Sequence, residues 1–147
     1  ELTHADIIVG AAEIASAKAR GPEARGYLTD HIFIGGLRWQ PTEGELDLFG
    51  DGTLTIIPTP GHTPGSISLL ATQDGMTPLL FVGDLTYDVS LLEQGHVPGI
   101  GDKASLEAST QLVKKLTKDH PGLTVLATHD PGAAQALKTA RAHRVMR

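Results

Sequence analysis

A chain of 147 residues with no cysteine can hold neither a disulfide framework nor a thiolate zinc site, so any metal must be held by histidine and carboxylates. Its formal net charge of -5 argues against a nucleic-acid or anionic-membrane partner, since both reward a basic face. With 40% hydrophobic and 20% charged residues the composition is globular, the length suits a single domain over 1–147, and no apolar run approaches the ~20 residues that cross a bilayer.

Asp6 to Val9 reads as a short buried strand. Ala11 to Arg20 is rich in helix formers and stops before Gly21-Pro22. Gly21 to Gly44 is punctuated by glycine and proline and reads as loop, with one short strand at His31 to Ile34. Leu46 to Phe49 and Leu54 to Ile57 predict a hairpin around Gly50-Asp51-Gly52, residues that tolerate positive φ. The segment from Thr59 to Gly65 is too rich in proline and glycine for helix or strand. Ile67 to Ala71 is a strand and Gln73 to Pro78 a turn. Leu79 to Val82 is an all-apolar strand suited to a sheet covered on both faces. Asp88 to Asp102 reads as a long loop holding Leu91, Leu92, Val97 and Ile100. Ala104 to Asp119 is the clearest helix. Leu106, Val113 and Leu116, with Leu112 beside them, form its apolar stripe, and Lys114, Lys115 and Lys118 lie away from most of it. Leu123 to Ala127 is a further strand and Gly132 to Ala142 a closing helix. Strands mixed with helices predict an α/β layered fold.

Seven histidines stand beside three Phe, two Tyr and one Trp, a bias toward the commonest metal ligand and proton shuttle. Three predicted strands end alike. Leu54 to Ile57 leads to His62, Leu79 to Val82 to Asp84, and Leu123 to Ala127 to His129. Sites in layered α/β folds form at the carboxyl ends of strands, where loops converge. Taken singly, His62 is a turn residue, Asp84 a cap or turn aspartate, and His129 the start of a turn into the last helix. Taken together, two imidazoles and a carboxylate make a ligand set for zinc or a similar divalent ion. Gly61, Gly65 and Gly83 let the backbone turn sharply beside them.

The run Thr59-Pro60-Gly61-His62-Thr63-Pro64-Gly65-Ser66 resembles the third metal motif of the metallo-β-lactamase superfamily. Phe81-Val82-Gly83-Asp84 resembles the fourth, and Ala127-Thr128-His129-Asp130-Pro131 the fifth, although a glycine more often stands where this chain has Thr128. The resemblance runs from Asp6 to about Ala140. It implies the C-terminal part of an αβ/βα sandwich, in which Asp84 bridges two metal ions and His62 and His129 serve one each. Zinc is expected, and other divalent metals are open. Within the superfamily the chain is most similar to acyl-homoserine-lactone lactonases. Tyr87 stands where that group has a tyrosine that hydrogen-bonds the lactone carbonyl oxygen or the leaving group. The segment from Leu91 to Ile100 would then line the acyl-chain pocket, or else pack on the core.

The resemblance implies a quorum-quenching hydrolase that opens a lactone ring by attack of a metal-bound hydroxide, with Tyr87 and Asp84 as catalytic residues. Two alternatives stay open. One is another hydrolase on the same scaffold: a thioesterase, arylesterase, phosphotriesterase or β-lactamase. The other is a non-catalytic half-domain that acts only with a partner chain. The family signature His-x-His-x-Asp-His does not occur. Thr3-His4-Ala5-Asp6 is a degenerate copy with Ile7 in place of the last histidine. Asp6 to Val9 followed by Ala11-Ala12-Glu13 matches what comes after the motif in relatives, so His4 reads as a loop residue. His31, His96, His120 and His143 have no ligand-like context and are expected to be exposed or capping. The chain is therefore expected to begin just past the signature, to be inactive alone, and to leave an apolar sheet face for an N-terminal segment, a second chain or another copy to cover. A cytoplasmic home fits the lack of cysteine.

Overall fold

Two sheets organise the computed structural model, which describes residues 4–20 and 35–142. The first is small. β1 (Asp6–Gly10) runs directly into α1 (Ala11–Arg20), and β2 (Arg38–Thr42) pairs with β1 in parallel, Ile7 opposite Trp39 and Val9 opposite Pro41. The loop reading of Gly21 to Gly44 is thus corrected at its far end. Proline suggested loop, yet β2 is an edge strand, where a missing N–H costs no ladder bond. Arg38 fastens the pair: its Nε lies 2.8 Å from Asp6 Oδ1 and its Nη2 donates to the His4 carbonyl at 2.6 Å. The strand expected at His31 to Ile34 lies outside the described residues.

The second sheet has the order β3 (Leu46–Asp47), β4 (Leu54–Pro58), β5 (Ile67–Ala71), β6 (Leu79–Gly83), β7 (Thr124–Ala127). β3 is shorter than expected. The Asp47 carboxylate accepts from the N–H groups of Phe49, Gly50 and Gly52, and so draws the chain into its turn early. β4 and β6 each run antiparallel to β5, and β7 runs parallel to β6. Hence β4, β6 and β7 all point the same way, and their carboxyl ends share one edge of the sheet.

One face of this sheet is closed by α3 (Lys103–Asp119). Leu106 and Val113 of the helix are 1% and 0% exposed, and they belong to one apolar cluster with Ile57, Leu70, Leu80 and Val82. The opposite face is not closed in the same way. Side chains alternate along a strand, so Phe81, between buried Leu80 and Val82, points away from α3 and is 38% exposed. It stands in register with Leu69 and Leu126, and Leu46, also 38% exposed, lies opposite Ile56. The expectation that β6 is covered on both faces therefore fails within the described residues. α4 (Ala133–Ala142) packs on β7, at one end of that face.

The segment expected to be a long loop, Asp88 to Asp102, contains a short helix, α2 (Val89–Glu93). A single turn is too short to show a helical period, but Asp88 caps it by accepting from Ser90 N–H at 2.8 Å, and Leu92 is buried beneath it. No helix among the described residues is long and apolar enough to cross a membrane.

Candidate metal centre

The loop that follows β4 is fixed on three sides. Thr59 N–H donates to the Ser66 carbonyl at 2.9 Å and closes it, while the buried hydroxyls of Thr59 and Ser68 meet at 2.8 Å. From α3, Ser109 Oγ donates to the Pro60 carbonyl at 2.7 Å. Asp102 N–H, just before α3, donates to the Gly61 carbonyl at 2.8 Å. From α1, the Glu13 carboxylate accepts from Gly65 N–H at 2.9 Å. Two glycines allow this seating. Gly61 has φ +146, and a Cβ there would stand 2.7 Å from Leu106 Cγ. A Cβ on Gly65 would collide with the backbone of Glu13. Small residues at these two points let α1 and α3 press against the loop that carries His62.

Asp84 and His129 leave the neighbouring parallel strands β6 and β7. Thr128 N–H donates to the Gly83 carbonyl at 3.1 Å, which holds the two exits side by side. The result brings together all three residues singled out in the sequence. His62 Nε2 lies 3.5 Å from Asp84 Oδ2, and His129 Nε2 lies 3.4 Å from Asp84 Oδ1. Each imidazole thus addresses a different oxygen of one carboxylate, at separations longer than an ordinary hydrogen bond. Tyr87 joins them. Its ring meets the His62 ring edge-on at 6.4 Å and the His129 ring at 5.4 Å.

An imidazole nitrogen and a carboxylate oxygen on each side of Asp84 suit two divalent ions, one per side. Among the described residues no three His, Asp or Glu groups converge on a single point, so each side has only two protein donors. His62 Nδ1 is buried and has no hydrogen-bond partner among the described residues. A ligating histidine ordinarily donates its other ring N–H to an acceptor. The donor types fit divalent metals in kind, while an acceptor for His62 Nδ1–H and a third ligand are not found among the described residues. The other histidines stand apart. His96 is exposed, His120 ends α3 with its N–H on the Leu116 carbonyl, and His4 is exposed. His31 and His143 lie outside the described residues.

Two further carboxylates touch this region without having been singled out from the sequence. Glu13 holds Gly65, as above. Asp130, the residue after His129, accepts from Val89 N–H at 3.0 Å through Oδ2 and from Gly132 N–H at 2.6 Å through Oδ1. Asp130-Pro131-Gly132 has the local sequence of a simple turn, and nothing in that pattern marks a bond to a segment 41 residues away. Asp88, beside Tyr87, has its carboxyl held below the usual range by hydrogen bonds from the Ser90 hydroxyl and then the Ser90 N–H.

Comparison with known proteins bears on the fold as a whole. The profile of the Metallo-beta-lactamase superfamily matches residues 3–129. N-acyl homoserine lactonase AttM of Rhizobium radiobacter is 36% identical over 120 residues, covering 78% of this chain and 45% of the relative. The chain thus spans less than half the length of that relative. A crystal structure of a mutant of B. thuringiensis AiiA, with N-decanoyl-L-homoserine bound at its active site, superposes with a TM-score of 0.75 at 23% identity, over 91% of this chain and 50% of that one. An N-acyl homoserine lactone hydrolase, with the product N-hexanoyl-L-homoserine at its catalytic metal center, superposes with a TM-score of 0.73 at 23% identity, over 89% of this chain and 49% of that one. At such identities the two structures show a shared fold.

Proposed function

This chain belongs to the metallo-beta-lactamase superfamily, and from that premise we propose that it supplies one side of a metal-dependent lactonase site acting on acyl-homoserine lactones. The observation that carries the reading is the split carriage of Asp84, one carboxylate oxygen facing His62 and the other facing His129. The 36% identity with a protein named N-acyl homoserine lactonase supports the substrate class. In this proposal Asp84, His62 and His129 would help hold divalent ions such as zinc. The remaining ligands would come from polypeptide outside the described residues.

A bound metal pair would supply an activated water at neutral pH and neutralise charge on the substrate oxygen. The chain's own residues do the rest. Tyr87, 36% exposed beside both imidazoles, donates a hydrogen bond to the lactone oxygen on which negative charge builds. Ring opening adds water's oxygen to the acyl carbon, breaks the ring C–O bond, and delivers a proton to the departing alkoxide. Leu91 on α2 and Ile100 in the loop after it are 44% and 62% exposed and offer apolar surface to an acyl chain. The reading is tested by comparing lactone, aryl-ester, thioester and β-lactam turnover by the complete protein, with metal content measured on the same preparation. Turnover of the lactone above the others is expected. A preparation with full metal that cleaves an aryl ester or β-lactam and spares the lactone would overturn it.

A further inference from the structure

We infer that Asp130 is a positioning residue that sets where the Tyr87 ring stands relative to His129; the inference rests on the lactonase reading for its effect on turnover, and on geometry alone for its effect on the ring.

Asp130 follows His129 directly, so its backbone is tied to the end of β7. Its carboxylate does not stay local. Oδ1 accepts from Gly132 N–H at 2.6 Å, and Oδ2 reaches across to Val89 N–H at 3.0 Å. Val89 is the first residue of α2, two positions after Tyr87. One carboxylate therefore joins the turn that carries His129 to the segment that carries Tyr87.

The bond to Gly132 alone would make an ordinary aspartate turn. The second bond is what such a turn does not need. The start of α2 has two aspartates at work, with different reach. Asp88 caps Ser90 N–H from within the segment and fixes its internal shape. Asp130 takes the Val89 N–H from outside and fixes the segment to β7. On its other side the segment is already seated: Leu85 and Thr86 are 2% and 3% exposed, and Thr86 Oγ1 donates to the Asp88 carbonyl at 2.8 Å. Tyr87 itself is 36% exposed, and among the described residues its aromatic-ring contacts are with His62 and His129. Its placement thus depends on the backbone on either side. Asp130 is the anchor on the Val89 side, and it refers that backbone to His129.

The test uses the complete, metal-loaded protein with 3-fluorotyrosine incorporated, the Tyr87 fluorine resonance being assigned by its loss in Tyr87→Phe. In Asp130→Ala the Tyr87 line is expected to shift or broaden while metal stoichiometry stays at the wild-type value. Lactone kcat is expected to fall about 10- to 100-fold with KM little changed, as misplacement of a catalytic group does. In a Tyr87→Phe background the same substitution should add little, because residues that act through one another are not additive. Asp130→Asn, which keeps one acceptor oxygen, should give an intermediate line position and an intermediate kcat, and it serves if the alanine variant fails to fold. An unmoved Tyr87 line in a folded variant, or losses that multiply in the double variant, would overturn the inference. Absence of lactone turnover in the wild-type protein would strike the functional reading instead, and the fluorine line would still decide the positioning.

Discussion

At the scale of single residues, the site separates charge from hydrogen bonding. Asp84 places one oxygen before each imidazole. Asp84→Asn in the complete protein is therefore expected to lower metal stoichiometry and activity together, as read by elemental analysis and steady-state kinetics on one preparation. Full metal content in that variant would remove the bridging role. Tyr87 stands beside the imidazoles through its ring, and in the proposed chemistry its hydroxyl works only as charge develops. Tyr87→Phe is expected to leave metal content intact and to reduce kcat on a homoserine lactone by about 10- to 1000-fold. Retention of full kcat would take away the lactonase assignment's most specific support and leave the metal-site proposal standing. Gly61 offers a third probe. A Cβ there would meet Leu106 at 2.7 Å, so Gly61→Ala should displace the His62 loop and weaken metal binding with no ligand removed.

At the scale of elements, α3 is both the wall of the core and the floor of the His62 loop. Leu106 is 1% exposed and lies under Gly61. Leu106→Ala should destabilise the protein by about 2–5 kcal/mol, the range for truncating a fully buried leucine, and denaturant unfolding of the complete protein would measure it. The same helix begins on Asp102, whose carboxylate accepts from Ser105 N–H at 2.8 Å. Its carboxyl is held below the usual range by the Ser105 hydroxyl first and the Ser105 N–H second. A carboxyl depressed in the folded state stabilises it above the ordinary carboxylate pKa, and that contribution is lost as pH falls through the lowered folded value. Asp102→Ala should thus melt below wild type near neutral pH, with the gap closing in acid. A gap independent of pH would show that the cap works through shape and not through charge.

At the scale of the whole molecule, the five-stranded sheet has one face on α3 and another bearing Leu46 and Phe81, each 38% exposed. Phe49 and Met76 nearby are 70% and 42% exposed. Apolar surface of this kind seeks cover. The chain by itself is expected to associate in light scattering and to retain fewer than two tightly bound divalent ions after gel filtration, since each side of Asp84 has only two protein donors among the described residues. A soluble monomer that melts cooperatively with two ions bound would contradict both the exposed-face argument and the proposal that further ligands come from elsewhere.

The sequence by itself determined most of the strands, the long helix and the side chains that stand past three strand ends, because each is written in local pattern. Apolar runs bounded by glycine and proline give β4 to β7, a helical stripe gives α3, and His62, Asp84 and His129 stand in the segments that leave β4, β6 and β7. It did not yield β2, where Pro41 hid an edge strand, or α2, whose single turn is too short to show a period. Only the tertiary structure decided which strands run in parallel, and so which loop ends meet at one edge of the sheet. Only the tertiary structure revealed the bonds from Glu13 to Gly65 and from Asp130 to Val89, which join segments 52 and 41 residues apart. A carboxylate that accepts a hydrogen bond from a distant backbone has the same local sequence as one that caps its own turn, and folding alone tells them apart.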